Sequence, residues 1–159
     1  MAVKLAASMG AKVTVLSTSA EKEADARRLG ATDFIVTKGA AFEQLQPNLD
    51  LIIDTVSAPH DYAPYLRLLR LRGTMVVVGV PASPTPFHSW SLILGNKNLA
   101  GSAIGGIAET QEMLDHCAKH GIVSDIEVIQ VQQINEAYER LLKNDVRYRF
   151  VIDLASLRT

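Results

Sequence analysis

Apolar positions along the chain fall into two rhythms, one of strands and one of helices. Leu5, Ala6 and Met9 follow helical spacing, and Gly10 sits where a C-terminal cap belongs. No Ser, Thr, Asp or Asn stands before that helix, so it reads as cut rather than started. Residues 12–16 (KVTVL) are a β-branched run of strand length. Ser17, Thr18 and Ser19 mark a turn and cap a charged helix over 21–29, with Glu23 and Arg27 one turn apart; Gly30 ends it. Residues 33–37 (DFIVT) predict a second strand, and 40–45 a weak helix stopped near Pro47. Residues 49–56 (LDLIIDTV) predict a third strand, apolar nearly throughout as a strand buried on both faces should be.

Tyr62, Tyr65, Leu66 and Leu69 share one helical face, and Gly73 follows. Residues 74–80 (TMVVVGV) predict a fourth strand and the proline-rich 81–86 a loop. A short helix is expected over 91–94, then a fifth strand over 98–104 (NLAGSAI), interrupted by Gly101. A helix over 109–120 has Met113, Leu114, Cys117 and Ala118 as its inner face. Residues 126–131 (IEVIQV) read as a strand. Ile134, Ala137, Tyr138, Leu141 and Leu142 form the cleanest amphipathic helix, and 147–154 (RYRFVIDL) closes the chain as a strand. Strand and helix alternate every roughly 20–25 residues, which predicts βαβ units, right-handed crossovers and a parallel sheet. Residues from 124 onward could form a separate layer.

Composition narrows the picture. With 159 residues, 48% apolar and 21% charged, the chain can close one core. A net charge of -1 leaves no basic excess for nucleic acid or an anionic membrane. A single cysteine excludes a disulfide framework and a thiolate-only metal site. The apolar runs are too short to span a bilayer, and MAVKLAASMG has no signal-peptide core, so a soluble, cytoplasmic protein is expected.

In a doubly wound sheet, ligands bind beyond the carboxyl ends of the strands. After the first strand come Ser17, Thr18 and Ser19, with Lys22 one turn on. An Asp or Glu often stands there to hold the ribose hydroxyls of NAD. Three hydroxyls and an ammonium would instead receive a 2′-phosphate, although they would equally serve an ordinary capped helix. Thr55, Val56 and Ser57 follow the third strand, and Gly79 and Val80 the fourth. Ser102, Ala103, Ile104, Gly105 and Gly106 follow the fifth. Small residues there admit a flat ligand such as a nicotinamide, or simply make tight turns. His60 follows Pro59 at a strand end, in a polar loop that could touch a ligand. His116 and His120 have metal-chelating spacing, but no catalytic Glu lies between them. Glu112 and Asp115 make that helix face a solvated one, and Cys117 belongs to the core side. No nucleophile elbow, P-loop or carboxylate pair stands out.

The stretches MAVKLAASMGAKVTVLSTS, RRLGATDFIV, LDLIIDTVSAPH, GTMVVVGVP, LAGSAIGGIAETQEMLDHCAKHGI and INEAYERLLKNDVRYRFVIDL cover nearly the whole chain. Together they resemble the C-terminal half of zinc-dependent medium-chain alcohol dehydrogenases, in the NADP-dependent cinnamyl alcohol dehydrogenase-like branch. The resemblance implies an α/β, Rossmann-like doubly wound parallel sheet over 1–123. A strand-helix-strand over 124–159 would return toward a catalytic domain. It implies an oxidoreductase that exchanges hydride between NADP(H) and a small primary alcohol or aldehyde. Ser17, Thr18, Ser19 and Lys22 take the place of the family's 2′-phosphate pocket. Thr55 and Val56, then Val78, Gly79 and Val80, then Ser102, Ala103 and Ile104 take the nicotinamide and ribose places. Arg149 takes that of a basic residue reaching the cofactor phosphates.

The family's zinc ligands have no counterpart among these residues, so no catalytic residue and no metal ligand is assigned. Neither the glycine-rich turn nor the first, central strand of the sheet is present. The strands on either side of that place are expected to show unpaired ladders. The chain alone is therefore expected to be inactive as a dehydrogenase. The alternatives are a nucleotide-binding module without catalysis and a module that pairs through open strands. The family's homodimer contact would fall on the edge strand over 98–104.

Overall fold

The computed structural model describes residues 1–143 and 145–158; Asn144 and Thr159, which fall in the expected 124–159 segment, lie outside the described residues. Among the described residues seven short strands alternate with seven α-helices, all strand pairs are parallel, and the fold is α/β as expected. β1 (Thr14–Ser17) pairs with β2 (Asp33–Val36), and α2 (Glu23–Arg28) connects them. β3 (Leu49–Asp54), β4 (Leu69–Val77) and β5 (Asn98–Gly101) form a three-stranded sheet in that order. α4 (Ala63–Leu68) joins β3 to β4, and α5 (Trp90–Ile93) joins β4 to β5. β6 (Glu127–Gln130) pairs with β7 (Phe150–Asp153) through α7 (Ile134–Leu142). α1 (Ala2–Ser8), α3 (Ala40–Glu43) and α6 (Ile107–Lys119) complete the order.

Local chemistry explains the boundaries. Gly10 and Gly30, at φ +83° and +110°, take the left-handed conformation that ends α1 and α2. Glu23 and Arg27 pair at 2.8 Å along α2, as their spacing predicts. α6 starts where the Glu109 carboxylate accepts the Gly106 N–H at 2.7 Å.

The core gathers on the three-stranded sheet. Phe42, Ile52, Tyr62, Leu66, Leu68, Leu69 and Met75 form one buried cluster, and Leu66, Leu69 and Met75 are sealed from water. Sealing a Leu or Met side chain contributes about 1.5–3 kcal/mol. Leu16 of β1 and Ile35 of β2 pack against this cluster. The two-stranded sheet thus joins the core through side chains, while no ladder hydrogen bonds link β1 to β3.

Several expectations change. Leu69 is not on a helical face: α4 ends at Leu68, and Leu69 enters the ladder opposite Leu49, so β4 starts five residues early. β3 is not buried on both faces. Ile52 and Asp54 point inward, while Leu51 and Ile53 are 54% and 47% exposed, because none of the described elements covers that face. On α6 only Cys117 of the expected inner face is buried, and Met113 and Leu114 lie open. On α7 only Ala137 is buried. The ladders of β3, β4 and β5 stop at Asp54, Val77 and Gly101, so the expected strand ends become loops.

Polar contacts hold the C-terminal layer. Arg140 pairs with Glu127 at 2.7 Å and with Asp145 at 2.9 Å, and lies 4.8 Å over the Phe150 ring. The Ser156 hydroxyl accepts the Val131 N–H at 2.9 Å and donates to the Asp153 carbonyl at 2.5 Å. Asp125 ties the layer to the rest, pairing with Lys4 of α1 at 2.6 Å and Arg28 of α2 at 2.7 Å. The Lys4 ammonium first, then Arg28, holds the Asp125 carboxyl below its ordinary range. The backbone N–H of Arg147 first, then Arg140, does the same for Glu127.

Candidate functional site

Carboxyl ends of the strands carry the candidate residues. At the end of β1 the Ser17 hydroxyl accepts the Ser19 N–H at 3.2 Å, which turns the chain into the 3-10 turn Ala20–Lys22. Thr18 and Lys22 are exposed, Ser17 and Ser19 half-buried. Lys22 makes no ion pair among the described residues, and no carboxylate stands at the strand end itself. Three hydroxyls and a free ammonium at one turn are a donor set that fits a phosphate monoester.

The ends of β3, β4 and β5 lie side by side, since Asp54 is in register with Val77 and Val77 with Gly101. This places Thr55 and Val56, Val78 to Val80, and Ser102 to Ile104 along one rim. Asp54 organises it. Its carbonyl accepts the N–H groups of Val78 at 2.9 Å and Gly79 at 3.1 Å, and its Oδ1 accepts the Val56 N–H at 3.0 Å. The Ser102 N–H donates to the Val77 carbonyl at 3.2 Å. Gly79 is buried against the neighbouring loop, where a Cβ would sit 2.3 Å from the Val56 oxygen, so only glycine permits this approach. Above the rim the apolar side chains stand open: Val80 is 83% and Ile104 99% exposed. A rim of uncovered Val and Ile beside backbone groups already engaged suits a flat, partly apolar ring.

Asp54 is the residue that pattern reading missed. It interrupts a run otherwise taken as apolar, and a carboxylate inside a buried strand was the available signal. Its Oδ2 is buried and accepts no hydrogen bond, although Nε2 of His60 lies 3.3 Å away. The His60 Nδ1 contacts the Ala58 carbonyl at 2.9 Å, and the ring meets Tyr62 and Tyr65 edge-on.

Arg149 precedes β7, and its carbonyl accepts the Glu127 N–H at 3.0 Å. Its side chain is exposed and unpaired among the described residues; the adjoining Arg147 reaches Asp25 of α2 at 4.0 Å. The segment carrying Arg149 therefore lies beside the helix that follows Lys22. His116 and His120 stack at 4.3 Å, and His116 Nε2 meets the Ser8 hydroxyl at 2.8 Å. Nowhere among the described residues do three His, Cys, Asp or Glu side chains gather as a metal ion requires, so a zinc ion does not fit them. An open cleft of about 450 Å³, lined in part by Thr37, Phe42, Asp61 and Arg67, lies beside α3 and α4. None of the described helices is long and apolar enough to cross a membrane.

A profile of the zinc-binding dehydrogenase family matches residues 1–119. The NADP-dependent alcohol dehydrogenase C of Mycobacterium tuberculosis is 52% identical over 158 residues, 99% of this chain and 46% of that protein. Cinnamyl alcohol dehydrogenase 2 of Arabidopsis thaliana is 51% identical, over 98% of this chain and 42% of its own. Among solved structures, a cinnamyl alcohol dehydrogenase of Sorghum bicolor superposes with a TM-score of 0.92 at 50% identity, covering 98% of this chain and 44% of that one. CAD from Helicobacter pylori, complexed with NADP(H), gives 0.85 at 37% identity over the same shares. The chain spans less than half the length of these relatives.

Proposed function

The chain belongs to the zinc-binding dehydrogenase family, and from that premise we propose that it is the cofactor-binding portion of an NADP-dependent alcohol dehydrogenase. The observation that carries the reading is the turn after β1, where Ser17 rather than a carboxylate ends the strand and Thr18, Ser19 and Lys22 follow, with Glu21 the one acidic residue of the turn. Relatives at this level of identity include one named for NADP dependence and a structure holding NADP(H). When bound, NADP(H) supplies or takes the hydride. The chain's own residues bind and orient it. Ser17, Thr18, Ser19 and Lys22 receive the 2′-phosphate, and the rim of Thr55, Val56, Val78 to Val80 and Ser102 to Ile104 supports the nicotinamide and its ribose. Arg149 offers a cation to the remaining phosphates.

A primary alcohol or its aldehyde is the small-molecule substrate of the whole enzyme in this reading. The zinc of the family has no fitting residues here, and no step is assigned to it. The same reading places the protein in the cytoplasm and pairs two copies through β5, an edge strand with three of its four residues exposed. A sedimentation profile that stays monomeric at high concentration would remove the pairing.

The decisive test is a pair of titrations, NADPH and NADH, against the chain and its Ser17→Asp variant. The introduced carboxylate should weaken NADPH by about tenfold or more and leave NADH nearly unchanged. Equal losses would show that the 2′-phosphate is held elsewhere. Absence of NADPH binding to the unaltered chain would end the reading.

A further inference from the structure

Asp54 presents an unusual balance. It is 94% buried, by its 6% exposure. Its carbonyl and Oδ1 together accept three backbone N–H groups, from Val56, Val78 and Gly79, which define the loops after β3 and β4. Its Oδ2 accepts none. A carboxylate oxygen buried without a donor loses its hydration with nothing in exchange. The one basic side chain within ion-pair reach, among the described residues, is His60, with Nε2 at 3.3 Å.

The hydrogen on Nδ1 of His60 follows from that nitrogen's contact. Nδ1 lies 2.9 Å from the Ala58 carbonyl, which can only accept, so Nδ1 carries a hydrogen. In the neutral ring Nε2 would then present a lone pair to the Asp54 carboxylate. In the imidazolium it carries a positive charge 3.3 Å from Oδ2. Tyr62 and Tyr65 pack edge-on against the ring from α4 and its N-terminal approach. No further charged side chain reaches either partner among the described residues.

We propose that protonated His60 and buried Asp54 are a positioning pair that fixes the β3 and β4 loops in the form that receives the nicotinamide end of the cofactor. When His60 gives up its Nε2 proton, the carboxylate faces a lone pair. It relieves this by turning, and turning withdraws Oδ1 from the Val56 N–H. Gly79 rests on the Val56 oxygen, so the two loops loosen together. The effect on the cofactor rests on the function proposed above; the effect on the loops does not.

Two readouts separate these. In the cofactor-free chain, NMR is recorded from about pH 5.5 to about pH 8.5. The amide signals of Val56, Val78 and Gly79 should follow the His60 ring through one titration. In His60→Gln, whose side-chain amide donates at every pH, that titration should vanish. In His60→Ala the amides should hold their high-pH positions throughout. Loop amides that ignore the ring, or that titrate equally in His60→Gln, overturn the proposal.

The second readout is NADPH affinity relative to adenosine 2′,5′-bisphosphate, which shares the titrating 2′-phosphate but lacks the nicotinamide. Across that range the ratio should fall roughly three- to tenfold in the unaltered chain and stay flat in His60→Gln. Amides that follow His60 without any NADPH binding support the positioning pair and overturn the cofactor reading. NADPH binding whose ratio has the same pH slope in both proteins overturns the pair and leaves the cofactor reading standing.

Discussion

Two parts of this molecule share a sequence pattern and differ in what holds them. The β3–β4–β5 sheet and the β6–β7 pair each alternate β-branched strands with an apolar-faced helix. In the first, seven side chains seal into one cluster. In the second, Ile129 and Ala137 are the buried apolar residues, while Val128, Tyr138, Leu142 and Leu154 are each more than 60% exposed. Order there comes from Arg140, Glu127, Asp145 and Ser156. Apolar periodicity shows which face a segment would bury, but burial also needs an element to cover that face.

The comparison can be broken at its strongest point first. Leu69→Ala removes a side chain with no exposure, a member of the core cluster whose backbone lies opposite Leu49 in the ladder. It should cost about 2–5 kcal/mol in urea unfolding. A loss under about 1 kcal/mol would mean that the sheet is not held by its core. Gly79→Ala comes next. A Cβ 2.3 Å from a backbone oxygen forces the β3 and β4 loops apart, at a cost of about 1–3 kcal/mol. The change in hydrogen exchange should stay in those loops and leave β6 and β7 untouched.

The smallest effect sharpens the other side. Asp125 and Glu127 both have carboxyls held below their ordinary range. Their contribution is therefore present above the unfolded-state value, about 4, and is lost as pH falls through the lower folded value. Acidification should raise hydrogen exchange in β6, α7 and β7 before it does so in β3 to β5. Simultaneous loosening of both regions would remove the distinction. Both carboxylates are solvent-accessible, so screening by salt should blunt the difference.

Much of the architecture was legible in the chain. Runs of strand length marked all seven strands in order, six of them rich in β-branched residues, and glycines at 10 and 30 marked two helix ends. The Ser17-to-Lys22 turn could also be read, because the turn preference of Ser and Thr is local. Burial was less legible. The open faces of β3, α6 and α7 read as inward from their own periodicity, since periodicity carries no information about what lies opposite. Asp54 was hidden for a related reason. Its importance arises from three amides, two of them some two dozen residues away and brought to it by β4, and from a histidine that reads as loop punctuation.

One property of the ladders bears on how the molecule assembles. Thr14 meets Asp33, Leu51 meets Thr74, Thr74 meets Asn98, and Glu127 meets Phe150. In each case the partner lies about two dozen residues or fewer along the chain, a single crossover away. Loop-closure entropy for such spans is modest, and low contact order speeds folding. Each strand pair can therefore zip as soon as its second strand is available, without waiting for a distant segment. A chain leaving the ribosome would complete β1–β2, then β3 to β5, then β6–β7 in the order of synthesis, as three successive events.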